Sequence, residues 1–168
     1  MEETDLERVL QWRNHPDVRR YMYTTHEISL EEHKSWFART RSNPSISLLI
    51  FEQCGEPCGF VSIVRSRSRK IADWGFYTAP DAPKGTGRKL GQCALEYGFN
   101  ELALHKLCGQ ALGFNESSIN FHKALWFTEE GRLREQHFDG IAYHDVVCFG
   151  LLANEWQSFR KDEKGQTQ

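Results

Sequence analysis

The stretch Pro83-Lys84-Gly85-Thr86-Gly87-Arg88-Lys89-Leu90-Gly91 couples glycines to cations between a predicted strand and a predicted helix. Glycines let a backbone approach a ligand closely, and a helix N-terminus presents N–H groups to an anion. Lys84, Arg88 and Lys89 add positive charge. The combination suits a pyrophosphate; a glycine-rich turn with solvated lysines has the same composition. The spacing G-x-x-x-x-G-K-[ST] of nucleoside triphosphate loops is absent. Cys54 and Cys58 flank Gly55-Glu56-Pro57 and resemble half a metal site. No second Cys/His pair stands nearby, so the segment reads as a hairpin turn and no metal is expected.

The elements that must position this loop are marked by caps and periodicity. Thr4-Asp5-Leu6-Glu7 has the capping-box pattern, and Leu6, Val9 and Leu10 follow helical spacing. That helix should stop before Pro16. Ser29-Leu30-Glu31-Glu32 opens a second helix with Leu30, His33 and Phe37 on one face, and Asn43-Pro44 ends it. Strands are expected at 46–51, 59–64 and 71–77, with a turn at Cys54 to Pro57 and a basic loop at Arg65 to Lys70. Ala79 to Gly87 is a Pro/Gly-rich loop. A helix carrying Leu90, Ala94 and Tyr97 runs to Leu102, and a strand covers 106–114. Asn115 caps another helix, with Phe121, Ala124 and Leu125 on its inner face, and Gly131 breaks it. Two strands, 132–137 and 143–151, surround a turn at Asp139-Gly140. The segment after Trp156 is polar and expected to fray. The order predicts a mixed α/β (α+β) layer fold in one domain over 1–168.

The chain has 168 residues, 39% hydrophobic and 26% charged, ordinary for a globular protein, with a net charge of -2. That charge provides no global field for nucleic acid. No apolar run has membrane-span length, and the start Met1-Glu2-Glu3 is no signal peptide. The reading is a cytoplasmic protein with no nucleic-acid or membrane partner. The five scattered cysteines do not form a disulfide framework.

The region from Ile71 to Gly131 resembles the acetyl-CoA half of GNAT acetyltransferases. It has the strand, the glycine-basic loop, the helix and the next strand. Asn115-Glu116-Ser117-Ser118 then opens a helix ending Leu125-Trp126-Phe127. The family's usual loop is [QR]-x-x-G-x-[GA], and its last helix commonly ends Leu-Gly-Phe. Lys84 and Lys89 depart from the first pattern and Trp126 from the second. Three further segments, Trp12 to Arg19, Ile28 to Phe37 and His144 to Leu152, are similar to acetyltransferases of pseudaminic acid biosynthesis. So are Tyr21-Met22-Tyr23, His105 to Gln110 and Gly131 to Glu135. Relatives usually begin with a short strand; here the sequence starts almost at the first helix.

The resemblance implies the GNAT acyl-CoA N-acyltransferase fold, a mixed central sheet flanked by helices, with acetyl-CoA as co-substrate. It implies acetylation of a UDP-linked amino sugar, UDP-4-amino-4,6-dideoxy-N-acetyl-beta-L-altrosamine, at its free 4-amine. The amine attacks the thioester directly, and a homodimer is compatible with this. The cofactor residues it implies are Lys84, Gly85, Thr86, Gly87, Arg88, Lys89 and Leu90, with Asn115 and Ser118. A backbone N–H of Phe76 or Tyr77 stabilises the oxyanion. The family's thiolate acid is a tyrosine seven residues after the capping asparagine; counting from Asn115 reaches His122, which titrates near neutrality. A partly exposed helix histidine has the same signature, and Tyr143 is the fallback donor. The matching base position is Gln110, which cannot take a proton but can orient a water together with Ser62. Asp73 is the weaker alternative base. Arg13, Asn14, Tyr21, Tyr23, His33 and Trp36 lie where the family holds the nucleotide sugar, an aromatic face for uracil and an arginine for phosphate. Burial of Trp36 and Tyr21 in the core is the competing reading. Arg65, Arg67 and Arg69 read as a solvated loop that could also reach a diphosphate. Two rival functions share the fold: acetylation of a protein N-terminus, and acetyl-CoA binding without turnover.

Overall fold

The structure is a computed structural model that describes residues 1–165, with side chains through 161. After a short 3-10 turn at Glu3–Asp5 come the helices α1 (Leu6–Asn14), α2 (Pro16–Arg19) and α3 (Leu30–Arg41). Strands β1 (Ile46–Gln53), β2 (Glu56–Arg65) and β3 (Ile71–Thr78) follow. The remainder is α4 (Thr86–Glu96), a π-helical turn at Tyr97–Glu101, β4 (Lys106–Leu112), α5 (Glu116–Ala124), β5 (Thr128–Phe138), β6 (Tyr143–Leu152) and α6 (Ala153–Gly165). The sheet has six strands in the order β1-β2-β3-β4-β6-β5. The pairs β1–β2, β4–β6 and β5–β6 are antiparallel, and β3–β4 is parallel. The expected mixed sheet flanked by helices is therefore present.

The chain divides into two compact units, one of 1–64 with 74–94, the other of 65–73 with 95 onward. In the first unit, β1 and β2 form a hairpin whose register runs from Ile46↔Val64 to Gln53↔Glu56. Its turn is the dipeptide Cys54-Gly55, both left-handed at φ 57° and 82°, as a primed two-residue hairpin turn demands. The four-residue turn expected from the sequence shrinks, because Glu56 and Pro57 already belong to β2. Val9 and Trp12 of α1 pack with Phe60 of β2 and Ala79, and Trp36, Leu48, Ile50 and Tyr77 close around them.

Gly59 permits the closest approach in this unit. A Cβ there would stand 2.4 Å from Cδ1 of buried Leu90 and 3.3 Å from the Tyr77 carbonyl. Leu90 has no free space to retreat into, being 1% exposed. Gly59→Val should therefore cost about 1–3 kcal/mol by overpacking. Urea melts of the folded variant would register this as a lower midpoint at an unchanged m-value.

In the second unit, β4 and β6 pair from Lys106↔Leu152 to Leu112↔Val146, and β5 forms the outer strand. Leu107, Val147, Phe149 and Leu151 are fully buried. The Lys106 ammonium bridges both Glu130 carboxylate oxygens at 2.6 and 2.7 Å. That carboxylate lies over Gly150, where a Cβ would collide at 2.5 Å. Trp156 of α6 stacks on Phe99 at 5.0 Å and is 3% exposed.

Several local expectations shift. The first capping box sits two residues earlier than Thr4: the Asp5 carboxylate accepts the Glu2 N–H at 2.7 Å, and a 3-10 turn precedes α1. Pro16 does end α1, but it also occupies the first position of α2, where its missing N–H costs nothing. The Ser29 box forms as expected, with both reciprocal bonds present. Inside α5 the buried residue is His122, while Ala124 is exposed. Gly131 does not break that helix. The chain turns at Trp126, which adopts φ 66° where the family's glycine would sit, and Gly131 lies at a bulge in β5. Among the described residues the expected fraying after Trp156 is replaced by α6, which Trp156, Phe159 and Arg160 anchor through ring and ion-pair contacts; 166–168 lie outside the described residues. No helix among the described residues is long and apolar enough to cross a membrane.

Candidate functional site

The glycine-basic loop enters α4 through a turn. The Thr86 N–H donates to the Pro83 carbonyl at 3.1 Å, and Gly85 takes φ 86°. Glycine in third place is what a turn with one left-handed residue favours. Space beyond Gly85 is open: nothing lies within 4 Å of a Cβ built there. Lys84, Arg88 and Lys89 are exposed around it. Thr86 opens α4, and its hydroxyl is buried without a hydrogen-bond partner. Helix-terminal N–H groups, three cations and an orphaned hydroxyl together fit an incoming phosphate. Leu90 does not belong with them. Its side chain is core, packed against Gly59, so contrary to expectation the Leu90 side chain does not face a cofactor.

In the second unit, Asn115 caps α5 by accepting the Ser118 N–H at 3.1 Å. Ser118 in turn offers its carbonyl to His122 Nδ1 at 2.7 Å. His122 is 1% exposed and stacks on Phe149 at 4.6 Å, with Phe127 edge-on at 5.2 Å. Burial pushes its pKa down to about 4, against the opposing bond to Ser118. Because a carbonyl can only accept, the neutral ring carries its proton on Nδ1, where the Ser118 carbonyl holds it. The assignment of His122 as thiolate acid is corrected on this ground: the ring is a neutral core group with no mobile proton to give.

Two results follow. His122→Phe should keep kcat within about threefold, whereas loss of a general acid costs about 10²–10⁴-fold in steady-state rate. Stability should also fall as pH drops from about 6.5 toward 4, since the unfolded histidine binds a proton that the folded one refuses; the lost amount is on the order of 3 kcal/mol. His122→Phe should flatten that limb of the stability curve in urea melts at stepped pH.

The other proposed catalytic groups lie on β2, β4 and β6. Tyr143 opens β6, 64% exposed, its ring against Phe138 at 4.8 Å. Ser62 donates to the Gly75 carbonyl at 3.4 Å, a bond between adjacent strands β2 and β3. Gln110 is exposed on β4, paired in register with Cys148.

The N-terminal residues assemble better. Arg13, His33, Trp36, Phe60 and Tyr77 line a cavity of about 650 Å³ in the first unit. His33 stacks on Trp36 at 5.0 Å, Trp36 meets Phe60 edge-on at 6.2 Å, and Phe60 tilts onto Tyr77 at 5.1 Å. Two polar atoms there are buried with no partner, Arg13 Nη1 and His33 Nε2. Arg13 Nη2 donates to the Thr24 carbonyl at 2.9 Å. His33 is bonded to the Leu6 backbone, and burial followed by the Arg13 charge lowers its pKa. Desolvation also lowers Arg13, which nonetheless stays cationic. Burial holds the Tyr77 phenol far above its usual value, so it remains a neutral O–H.

Asn14 is corrected: both ends of its amide are taken by the Ile28 backbone, at 2.8 and 2.9 Å, so it clips the chain after α2 and does not face a ligand. Tyr21 lies under Arg20 and Tyr23 is exposed, and neither lines the cavity. Sequence reasoning missed Phe60 and the Tyr77 side chain as walls; the alternation of β2 and β3 was the available signal. Cys54 lies in the β1–β2 turn and Cys58 in β2, and no group of three or more His, Cys, Asp or Glu that could hold a metal ion occurs among the described residues.

Residues 1–128 match the acetyltransferase (GNAT) domain family. The chain belongs to this family. It is an acetyl-CoA-dependent N-acetyltransferase. Among curated relatives, it is 36% identical over 92 residues to the SPbeta prophage-derived uncharacterized N-acetyltransferase YokL of Bacillus subtilis, covering 53% of this chain and 52% of that protein. It is 26% identical to acetyltransferase PseH of Campylobacter jejuni, over 74% of this chain and 77% of the relative. It is 25% identical to spermidine N(1)-acetyltransferase of Escherichia coli, over 99% and 90%. A crystal structure of spermidine N-acetyltransferase from Vibrio cholerae with CoA and spermine has the same fold, at TM-score 0.86 and 23% identity over 94% of this chain and 95% of that one.

Proposed function

We propose that the acceptor is an amine carried by a nucleotide-linked sugar, the UDP-4-amino-4,6-dideoxy-N-acetyl-beta-L-altrosamine class, bound in the Arg13–His33–Trp36 cavity. The observation that supports this is the pair of orphaned atoms, Arg13 Nη1 and His33 Nε2. An unmade hydrogen bond at a buried polar atom costs about 1–3 kcal/mol, and a ligand can restore it. Arg13 needs an oxygen acceptor, best an anionic one. With its other nitrogen on the Leu6 carbonyl, neutral His33 offers a lone pair at Nε2, which a sugar hydroxyl satisfies. The faces of Trp36 and Tyr77 suit a planar base.

A polyamine is the second reading. Glu31 and Glu32 also line the cavity, and a spermidine acetyltransferase matches nearly the whole chain. The Glu32 carboxylate, however, is already bonded to the Ser29 N–H and to His26. A cation near Arg13 would meet a like charge, a repulsion on the order of 4 kcal/mol at 4 Å in a partly screened site. Calorimetry with UDP and with spermidine separates the two. Binding of UDP that vanishes in Trp36→Ala supports the sugar; spermidine binding without UDP binding supports the polyamine.

A further inference from the structure

We infer that Arg39 is a second phosphate-binding cation of the acceptor cavity and that it selects a diphosphate over a monophosphate. The inference rests on the reading of that cavity as a nucleotide-sugar site and adds what holds the second phosphate. Arg39 lines the cavity with Arg13, Ser35 and Trp36, all within the first unit. Along a helix, an arginine finds its carboxylate three or four residues away. Around Arg39 those positions hold Ser35, Trp36, Ser42 and Asn43, none of them acidic. Arg39 is exposed and makes no ion pair among the described residues. Other cations of these helices are committed or turned elsewhere. Arg41 pairs with Glu3, Arg19 with Glu27 and Arg20 with Asp17. Lys34 lines a separate cavity with Glu3 and Phe37.

Helix geometry directs this charge. Helical side chains lean toward the N-terminus, so a long one covers the turn before its own Cα. For Arg39 that turn carries Ser35 and Trp36, the ring that stacks on His33 in the cavity wall. The carboxylates of the cavity sit at the other end of the same stripe. Glu32 lies seven residues earlier, about 10 Å along the axis, and is occupied by the Ser29 N–H and His26. The cavity therefore has a cationic end made by Arg13 and Arg39. Arg13 supplies one buried, unbonded nitrogen, and Arg39 supplies an exposed fork of donors. A guanidinium fork fits two oxygens of one phosphate. A nucleotide-linked sugar carries a negative charge on each of two phosphates, which matches two cations. A monophosphate satisfies the Arg13 nitrogen and leaves Arg39 to water.

The test is calorimetry of UDP, UMP and inorganic pyrophosphate on the enzyme saturated with CoA, so that the cofactor's own phosphate site is filled. The proteins are wild type, Arg39→Gln, Arg39→Lys and Lys34→Gln, and unchanged CoA affinity shows that each is folded. Wild type should bind UDP about tenfold or more tighter than UMP. Arg39→Gln should weaken UDP by about tenfold, the loss of an exposed charge-assisted bond, and leave UMP within about threefold. Arg39→Lys keeps the charge without the fork and should recover part of the loss. Lys34→Gln should change nothing, which excludes a general effect of charge on α3. UDP binding unchanged in Arg39→Gln, or UDP and UMP weakened equally, would overturn the assignment of Arg39. The nucleotide reading of the cavity survives that result as long as Trp36→Ala abolishes UDP binding. Pyrophosphate binding that needs Arg39 and gains nothing from uridine supports the two-cation site and overturns the nucleotide reading. Binding of neither UDP nor pyrophosphate overturns both.

Discussion

Gly87→Asp should weaken acetyl-CoA binding by about 100-fold or more, close to 2.7 kcal/mol. The substitution puts a carboxylate in the first turn of α4, next to the N–H groups that the helix leaves unpaired. An anion there satisfies the helix by itself, occupying the donors a phosphate would use, and repels what it displaces. Lys84, Arg88 and Lys89 would be partly neutralised by the new charge. The buried Thr86 hydroxyl, orphaned one residue earlier, would lose its incoming partner. Gly87→Ala is the control; it adds bulk without charge, so its affinity should stay within a few-fold. Calorimetric affinity for CoA equal to wild type in a folded Gly87→Asp protein would remove this loop from the cofactor site.

Arg13→Ala should raise KM for a UDP-linked amino sugar by about 10–100-fold while leaving KM for acetyl-CoA unchanged. The size follows from losing a charge-assisted bond, about 1.5–3 kcal/mol, at a site that is half desolvated. Arg13 also donates to the Thr24 carbonyl, so a looser chain segment is the competing cause of any defect. Arg13→Lys separates the two. It keeps the charge but loses the forked geometry, so it should recover part of the acceptor KM. A structural defect would instead lower the melting temperature without regard to acceptor. Steady-state kinetics with each substrate varied at saturating partner gives both constants. Parallel movement of the two KM values would contradict the assignment.

The sequence showed most clearly those features that local chemistry dictates. Ser29 and Glu32 form their reciprocal cap, Asn115 caps α5, and Pro16 ends α1, because each depends on residues within four positions. The glycine-basic loop was legible for the same reason. Features that depend on packing were not. His122 carries no mark that distinguishes a proton donor from a core ring; only the stacking on Phe149 and the Ser118 carbonyl decide it. Asn14 has a side chain apt for a ligand, yet Ile28, fourteen residues on, consumes it. Leu90 adjoins the loop in sequence, while helix periodicity turns it into the core. α6 looked polar because one aromatic face, Trp156 and Phe159, suffices to dock it.

We propose that this acetyl-CoA-dependent enzyme acts on an amine that presents an anionic, nucleotide-like body to the Arg13–His33–Trp36 cavity. Turnover of acetyl-CoA against a UDP-linked 4-amino sugar, spermidine and a peptide α-amine, each at matched subsaturating concentration, tests it most directly. The account predicts the highest kcat/KM for the UDP-linked sugar, at least tenfold above the others, with free UDP inhibiting competitively against that acceptor. A higher kcat/KM for spermidine or the peptide, with no inhibition by UDP, would contradict it.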